Sequence, residues 1–254
     1  MNLVFASGFL VPQHFLGIDY FRGLAAHFEG RHATLFPVVQ PLASSEARAS
    51  ALADAIQQKY PQGAIHIIAH SMGGLDSRIL IDRNHHGLSD PGRVASLTTL
   101  STPHRGSPVA DLLLGSRPGD LRSLAFDGIR HAFALLDIDI GALADLTTRA
   151  ALQAPDVIRT HPHIRYRSYS ASGRSGRRPT CLALVLGHQY IHSVTGQDND
   201  GLVAVDSARY GEFQQPSWQC DHEDMVGHDL DGGEFQFDHL AAFDDVIGSL
   251  EQVN

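Results

Sequence analysis

Along the first two-thirds of the chain, short apolar runs alternate with longer stretches of helical period, the mark of a parallel sheet built from βα units. Residues 2–6 open as a strand, and residues 20–28 carry a helical apolar period. Residues 33–39 read as the next strand, followed by a helix over 44–60 with Ser44 or Ser45 as its N-cap. The apolar run at 65–69 suits a central strand covered on both faces. A helix over about 72–84 and a strand over 94–100 complete this rhythm.

From about 108 to 160 the alternation stops. "ADLLLG", "HAFALLDIDIGALADL" and "TTRAALQ" are helical pieces with more apolar residues than a solvated surface needs, so this block reads as a helical insertion above the sheet. Strands resume at 164–172 and 201–205. A final helix over about 235–250 places Leu240, Phe243, Ile247 and Leu250 on one face. No internal repeat interrupts the pattern. The expected fold is α/β: a single domain over 1–254 with a mostly parallel sheet, helices on both faces and the insertion at 108–160.

Composition agrees with a sizeable core: 43% of the 254 residues are apolar and 19% charged. The net charge of −9 argues against a nucleic-acid partner, which needs a basic stripe. Arg165, Arg167, Arg174, Arg177 and Arg178 crowd one stretch and read as a solvated rim. No apolar run reaches the roughly 18–20 residues of a spanning helix. The first residues lack a basic region and a small-x-small cleavage site, so the expectation is a cytoplasmic protein or one whose leader has been removed. Cys181 and Cys220 leave pairing open.

The strongest chemical signal is "IHIIAHSMGGL" at 65–75. A buried strand runs into His70-Ser71-Met72-Gly73-Gly74 and then into a helix. Such a sharp turn needs small neighbours, because the serine backbone is strained and its side chain must project from the sheet edge. Ala69 and Gly73 flank Ser71 at the two positions where G-x-S-x-G carries glycine. Ser71 is therefore the candidate nucleophile. The free N–H groups at the helix start face the same point, and Met72 N–H is the first candidate oxyanion donor.

A serine nucleophile of this kind is followed in the chain by its acid and then its histidine. Asp198, Asp200 and Asp206 stand in "TGQDNDGLVAVDSARYG". Two histidines share the dipeptide Asp-His further on. His239 falls inside the amphipathic terminal helix, a poor place for a base that must serve both a serine and a carboxylate. His222 lies in a polar, glycine-punctuated stretch, as a loop base would.

With these residues in view, the chain resembles the α/β-hydrolase superfamily, and within it the bacterial true lipases, triacylglycerol lipases of the Pseudomonas and Burkholderia kind. "AHSMGG" and "LSTPHRGSPVAD" (100–111) carry the resemblance, which is strongest at 65–111 and 196–228. It implies an α/β-hydrolase fold whose insertion acts as a lid. It selects Asp200 through Asn-Asp-Gly before an apolar run, and His222 through "DHEDMVGH". It also matches Ser7-Gly8-Phe9 to the family's His-Gly-apolar loop, making Phe9 N–H the second oxyanion donor, beside Gly8. His70, Gly73 and Asp224 become supporting residues, and His104 packs near the site. The implied reaction cleaves apolar carboxylic esters such as acylglycerols through an acyl-enzyme, with lid contact at lipid surfaces.

The family's structural calcium finds one matching carboxylate, Asp224. Its other ligand places fall at Thr180 and His228, which suit a hard cation poorly, so neither metal nor cofactor is expected. His85-His86 and His161-Pro162-His163 lack ligand spacing and read as surface loops. The alternative functions are a small-ester carboxylesterase or polyester hydrolase, and a non-catalytic binder of the same fold. A nucleotide site would need G-x-G-x-x-G after the first strand, which Ser7-Gly8-Phe9-Leu10 lacks.

Overall fold

The computed structural model describes residues 1–9, 13–15, 18–115, 141–153, 160–173, 182–228 and 237–251. Six strands form one wholly parallel sheet: β1 (Asn2–Ala6), β4 (Ala33–Leu35), β5 (Ile65–His70), β6 (Val94–Leu100), β7 (Arg165–Tyr169) and β8 (Glu212–Phe213). Their order across the sheet is β4-β1-β5-β6-β7-β8. Two short strands, β2 (His14–Phe15) and β3 (Ile18–Asp19), pair antiparallel outside it. The chain therefore steps from β1 outward to β4 and crosses back to β5. That reversal opens a crevice at the carboxyl ends of β1 and β5, where parallel sheets hold their ligands.

Seven α-helices are described: α1 (Leu24–Phe28), α2 (Ser45–Lys59), α3 (Met72–Asp82), α4 (Pro108–Leu113), α5 (Thr148–Gln153), α6 (Leu182–Thr195) and α7 (His239–Glu251). The strand period of two divides the core. Val4, Ala6, Ile65, Ile67 and Ala69 pack against Ala49, Leu52, Ala53 and Ile56 of α2 and Leu80 and Ile81 of α3. Leu3, Phe5 and Ile68 face the other way, onto Leu24 and Phe28 of α1 and Phe243, Val246 and Ile247 of α7. Each Val, Leu, Ile or Phe among them contributes about 1.5–3 kcal/mol by leaving water. Helices on both faces of a parallel sheet are what the alternating pattern implied. No described helix is long and apolar enough to cross a membrane.

Local chemistry explains where the elements depart from the sequence reading. Ser44 is the N-cap of α2, its hydroxyl accepting from Ala47 N–H. The helical period over 20–28 yields only α1, because Gly23 enters the left-handed region at φ 73° just before it. Strand β4 stops at Leu35, two residues before Pro37, which has no N–H to offer a ladder. Residues 201–205 form a turn in place of the expected strand, since Asp200 Oδ1 accepts from Leu202 and Val203 N–H and folds the segment back on itself. Helix α6 was not legible, because its apolar "LALVLG" start has no helical stripe. It packs against α4 through Val109, Leu112, Tyr190 and Ile191. Of the insertion read over 108–160, α4, a 3-10 turn at Gly141–Leu146 and α5 are described. Residues 116–140 and 154–159, and the lid they would form, lie outside the described residues.

Candidate active site

Ser71 stands in the bend between β5 and α3 with φ 54° and ψ −130°, a conformation that costs a non-glycine residue about 1–3 kcal/mol. The bend is possible because its neighbours are bare. A Cβ on Gly73 would lie 2.4 Å from the Ala6 carbonyl oxygen, and one on Gly74 would lie 2.1 Å from Thr102 Oγ1. Ser71 N–H donates to the Leu100 carbonyl at 2.9 Å, tying the bend to β6. Gly73→Ala is expected to destabilise the fold by about 1–3 kcal/mol, because the added methyl meets backbone that has no room to yield. Thermal unfolding measures it, and an unchanged Tm would contradict this packing.

Gly8 lies directly against the serine: a Cβ there would be 2.8 Å from Ser71 Cβ and 3.3 Å from its Oγ. The loop after β1 thus passes over Ser71 within contact distance. Phe9 packs on Met72, Ala110, Leu143 and Leu146. As the first residue of α3, Met72 has an N–H with no intrahelical acceptor. The Phe9 N–H finds no acceptor among the described residues.

Beside this loop sits a buried His–Asp pair. His222 Nδ1 bonds Asp200 Oδ2 at 2.8 Å, and the two residues are 3% and 1% exposed. Asp200 Oδ1 is fixed by two backbone N–H groups, Leu202 at 2.9 Å and Val203 at 2.7 Å. Helix α6 holds the acid loop from behind. Its Gly187 abuts the Gly201 carbonyl, where a Cβ would sit 2.0 Å away, and Asn199 Nδ2 donates to the His188 carbonyl. Burial opposes charge on His222, but the Asp200 charge and hydrogen bond, with Glu223 and Asp221, outweigh it and raise its pKa above 6.5. The His222 ring lies 4.5 Å from that of His70, the residue before Ser71. Among the described residues no hydrogen bond joins Ser71 Oγ to His222, a looseness common before substrate binds.

His70 is fully buried. Its Nδ1 meets the Tyr20 hydroxyl at 2.7 Å. Burial, then repulsion from His222 and His228, holds its pKa well below the ordinary histidine value, so it stays neutral beneath His222. His104 is half-buried, between Arg78 Nη1 and Thr99 Oγ1, and clamps the chain near Ser207.

Asp224 lies in the histidine loop. Its Oδ2 accepts from Asp221 N–H, and Asp221 Oδ1 accepts from Asp224 N–H in return. These bonds shape the turn that carries His222. The residues do not fit a calcium ion: His228 Nε2 donates to the Tyr20 carbonyl, and Thr180 lies outside the described residues. Among the described residues no cluster of His, Cys, Asp and Glu suits a metal. Cys220 is buried, its thiol pKa pushed up by burial and by the Asp224, Asp221 and Asp200 carboxylates, while Cys181 is outside the described residues.

His239 is elsewhere. It is the first residue of α7, and its Nε2 donates to the Arg22 carbonyl at 2.8 Å against Gly227. The residues that sequence reading missed are Arg48, Asp76 and Tyr20. Arg48 interrupts the buried Ala49–Leu52–Ala53–Ile56 stripe of α2, and a charge at such a position is the signal that would have found it.

A profile of the family described as "alpha/beta hydrolase fold" matches residues 40–177. Triacylglycerol lipase 2 of Saccharomyces cerevisiae is 31% identical over 225 residues, covering 83% of this chain and 63% of its own length. A triacylglycerol lipase of Vibrio cholerae is 27% identical over 255 residues, covering 88% of this chain and 78% of its own. The chain thus spans under two-thirds of the yeast relative. Among solved structures, a mature Bacillus licheniformis lipase superposes with a TM-score of 0.70 at 21% identity, over 98% of this chain and 91% of that one. Lipase 1 of Pelosinus fermentans gives 0.70 at 18% identity, over 100% and 99%. At these identities the solved structures speak for the fold alone.

Proposed function

The chain belongs to the α/β-hydrolase fold family, and from that premise we propose that it is a serine ester hydrolase of lipase type, acting on esters of apolar acyl chains such as acylglycerols. The observation that carries this reading is the buried His222–Asp200 pair, set beside the strained Ser71 and the Gly8 loop. The curated relatives named as triacylglycerol lipases support the substrate class.

In this mechanism the neutral His222 takes the Ser71 proton through Nε2 as Oγ attacks the ester carbonyl. The carbonyl oxygen becomes an oxyanion held by Phe9 and Met72 N–H. Asp200 keeps the ring in the tautomer with the proton on Nδ1 and stabilises the imidazolium. His222 then returns the proton to the leaving alcohol, and the Ser71 acyl ester forms as the C–O bond to that alcohol breaks. Water repeats the cycle, its proton passing through His222 to Ser71 while the acid departs. The enzyme needs no metal or cofactor for any of these steps.

The test is hydrolysis of p-nitrophenyl esters from acetate to palmitate, below and above each ester's solubility limit. Hydrolysis that grows with acyl length and jumps above the limit is the lipase result. A preference for acetate with no jump would reassign the enzyme as a small-ester carboxylesterase, and no hydrolysis by folded protein would overturn the reading. The pH profile carries a further prediction. Only neutral His222 can act as base, and its pKa is raised, so kcat/KM should fall as pH drops through a value above 6.5. An acid limb below 6.5 would contradict the pairing.

A further inference from the structure

Arg48 is 1% exposed, yet its guanidinium donates four hydrogen bonds. Nε reaches Asp76 Oδ2 at 2.8 Å and Nη1 the Gln40 carbonyl at 3.2 Å. Nη2 reaches the carbonyls of Ser7 at 2.6 Å and Gly8 at 2.9 Å. The pair with Asp76 by itself does not require contact with this loop. The arm on Ser7 and Gly8 ends on the peptides that precede Phe9.

The Gly8 carbonyl and the Phe9 N–H belong to one trans peptide and point in opposite directions. Holding the carbonyl toward Arg48 therefore turns the N–H away from it, to the other side of the loop. Tyr20 packs on the same residue: a Cβ on Gly8 would lie 2.5 Å from its hydroxyl, which meets His70 Nδ1 at 2.7 Å. The Gly8 carbonyl is thus held toward Arg48, while the Phe9 N–H has no acceptor among the described residues. Asp76 belongs to α3, whose first N–H is that of Met72, so the Arg48–Asp76 pair ties the two oxyanion donors into one rigid unit.

We propose that Arg48 is a positioning residue that presets the oxyanion loop, aiming Phe9 N–H by holding the Ser7 and Gly8 carbonyls. This rests on the hydrolase reading above. Arg48 acts through the loop and does not touch the ester.

Single truncation of Arg48 would mix two effects. Burial already pushes the Asp76 carboxyl up to about 7, with the Arg48 charge and hydrogen bond pulling it down, and losing Arg48 would leave a buried acid alone. The informative variant is Arg48→Met with Asp76→Leu, since replacing a buried ion pair with apolar residues of similar volume is often neutral for stability. Arg48→Lys is the companion: it keeps the charge but loses the planar fork that serves a carboxylate and two carbonyls together.

The experiment measures kcat, KM and the pH profile on p-nitrophenyl butyrate, with Tm and the affinity for an alkylboronic acid that mimics the tetrahedral intermediate. Both variants are expected to lose about 10–100-fold in kcat, below the 10²–10³-fold cost of removing an oxyanion donor outright. KM should stay within about threefold, boronate affinity should fall in step with kcat, and the acid limb should stay in place because His222 and Asp200 are untouched. A folded variant with wild-type kcat and boronate affinity overturns the inference. So does a loss confined to KM, or a displaced acid limb. If the double variant does not fold, Arg48→Lys decides, and if neither folds, Arg48 is a folding residue and the inference fails. If wild type shows no Ser71-dependent hydrolysis, the hydrolase reading falls first and takes this one with it.

Discussion

Replacing His222 with alanine is expected to lower kcat/KM on p-nitrophenyl butyrate by about 10⁵–10⁶-fold, and replacing His239 should leave it within about threefold. Without His222 no group bonded to Asp200 can take the Ser71 proton, because the other partners of that carboxylate among the described residues are two backbone N–H groups. His239 is engaged differently, donating to the Arg22 carbonyl at the surface end of α7. Its loss removes one hydrogen bond, worth about 0.5–1.5 kcal/mol of stability. Steady-state kinetics with a thermal melt on each variant separates these outcomes. A dead His239→Ala beside an active His222→Ala would mean that the base has been misassigned.

Asp200→Asn should cost about 10⁴-fold in kcat while leaving the fold intact. An amide in place of Oδ2 offers a donor where Nδ1–H needs an acceptor. The ring then favours the opposite tautomer, which carries its proton on the nitrogen meant to receive the one from Ser71. The same change removes the charge that raises the His222 pKa, so the residual activity should show an acid limb shifted to lower pH. Asp198→Asn and Asp206→Asn are the controls and should keep most activity, since neither carboxylate meets His222. Retention of wild-type kcat by Asp200→Asn would remove the acid from the mechanism.

Much of this arrangement was legible because it depends on local chemistry. The apolar run before Ser71 and the glycines after it specify a strand, a strained bend and a helix, and the structure places all three there. The parallel α/β pattern was equally plain in the alternating periods. Three features were hidden, each for a physical reason. Residues 201–205 are β-rich in composition, but the Asp200 side chain outcompetes strand pairing by capping their N–H groups. Helix α6 begins in a near-continuous apolar run that a buried strand would also show. The contacts of Arg48 and Tyr20 with Gly8 join segments distant in sequence, which no periodicity reports. The pairing of His222 with Asp200 is also non-local: chain order and loop composition favoured His222 but left three acids open, and the resemblance to the lipase family selected Asp200.

The most direct test of the central claim is to treat the protein with a p-nitrophenyl alkylphosphonate and locate the adduct by peptide mass spectrometry. The expected result is one nitrophenolate released per chain, the phosphonyl group on Ser71, loss of hydrolysis in proportion to labelling, and no reaction in Ser71→Ala. Stoichiometric labelling of another residue, or hydrolysis that survives complete labelling of Ser71, would contradict it.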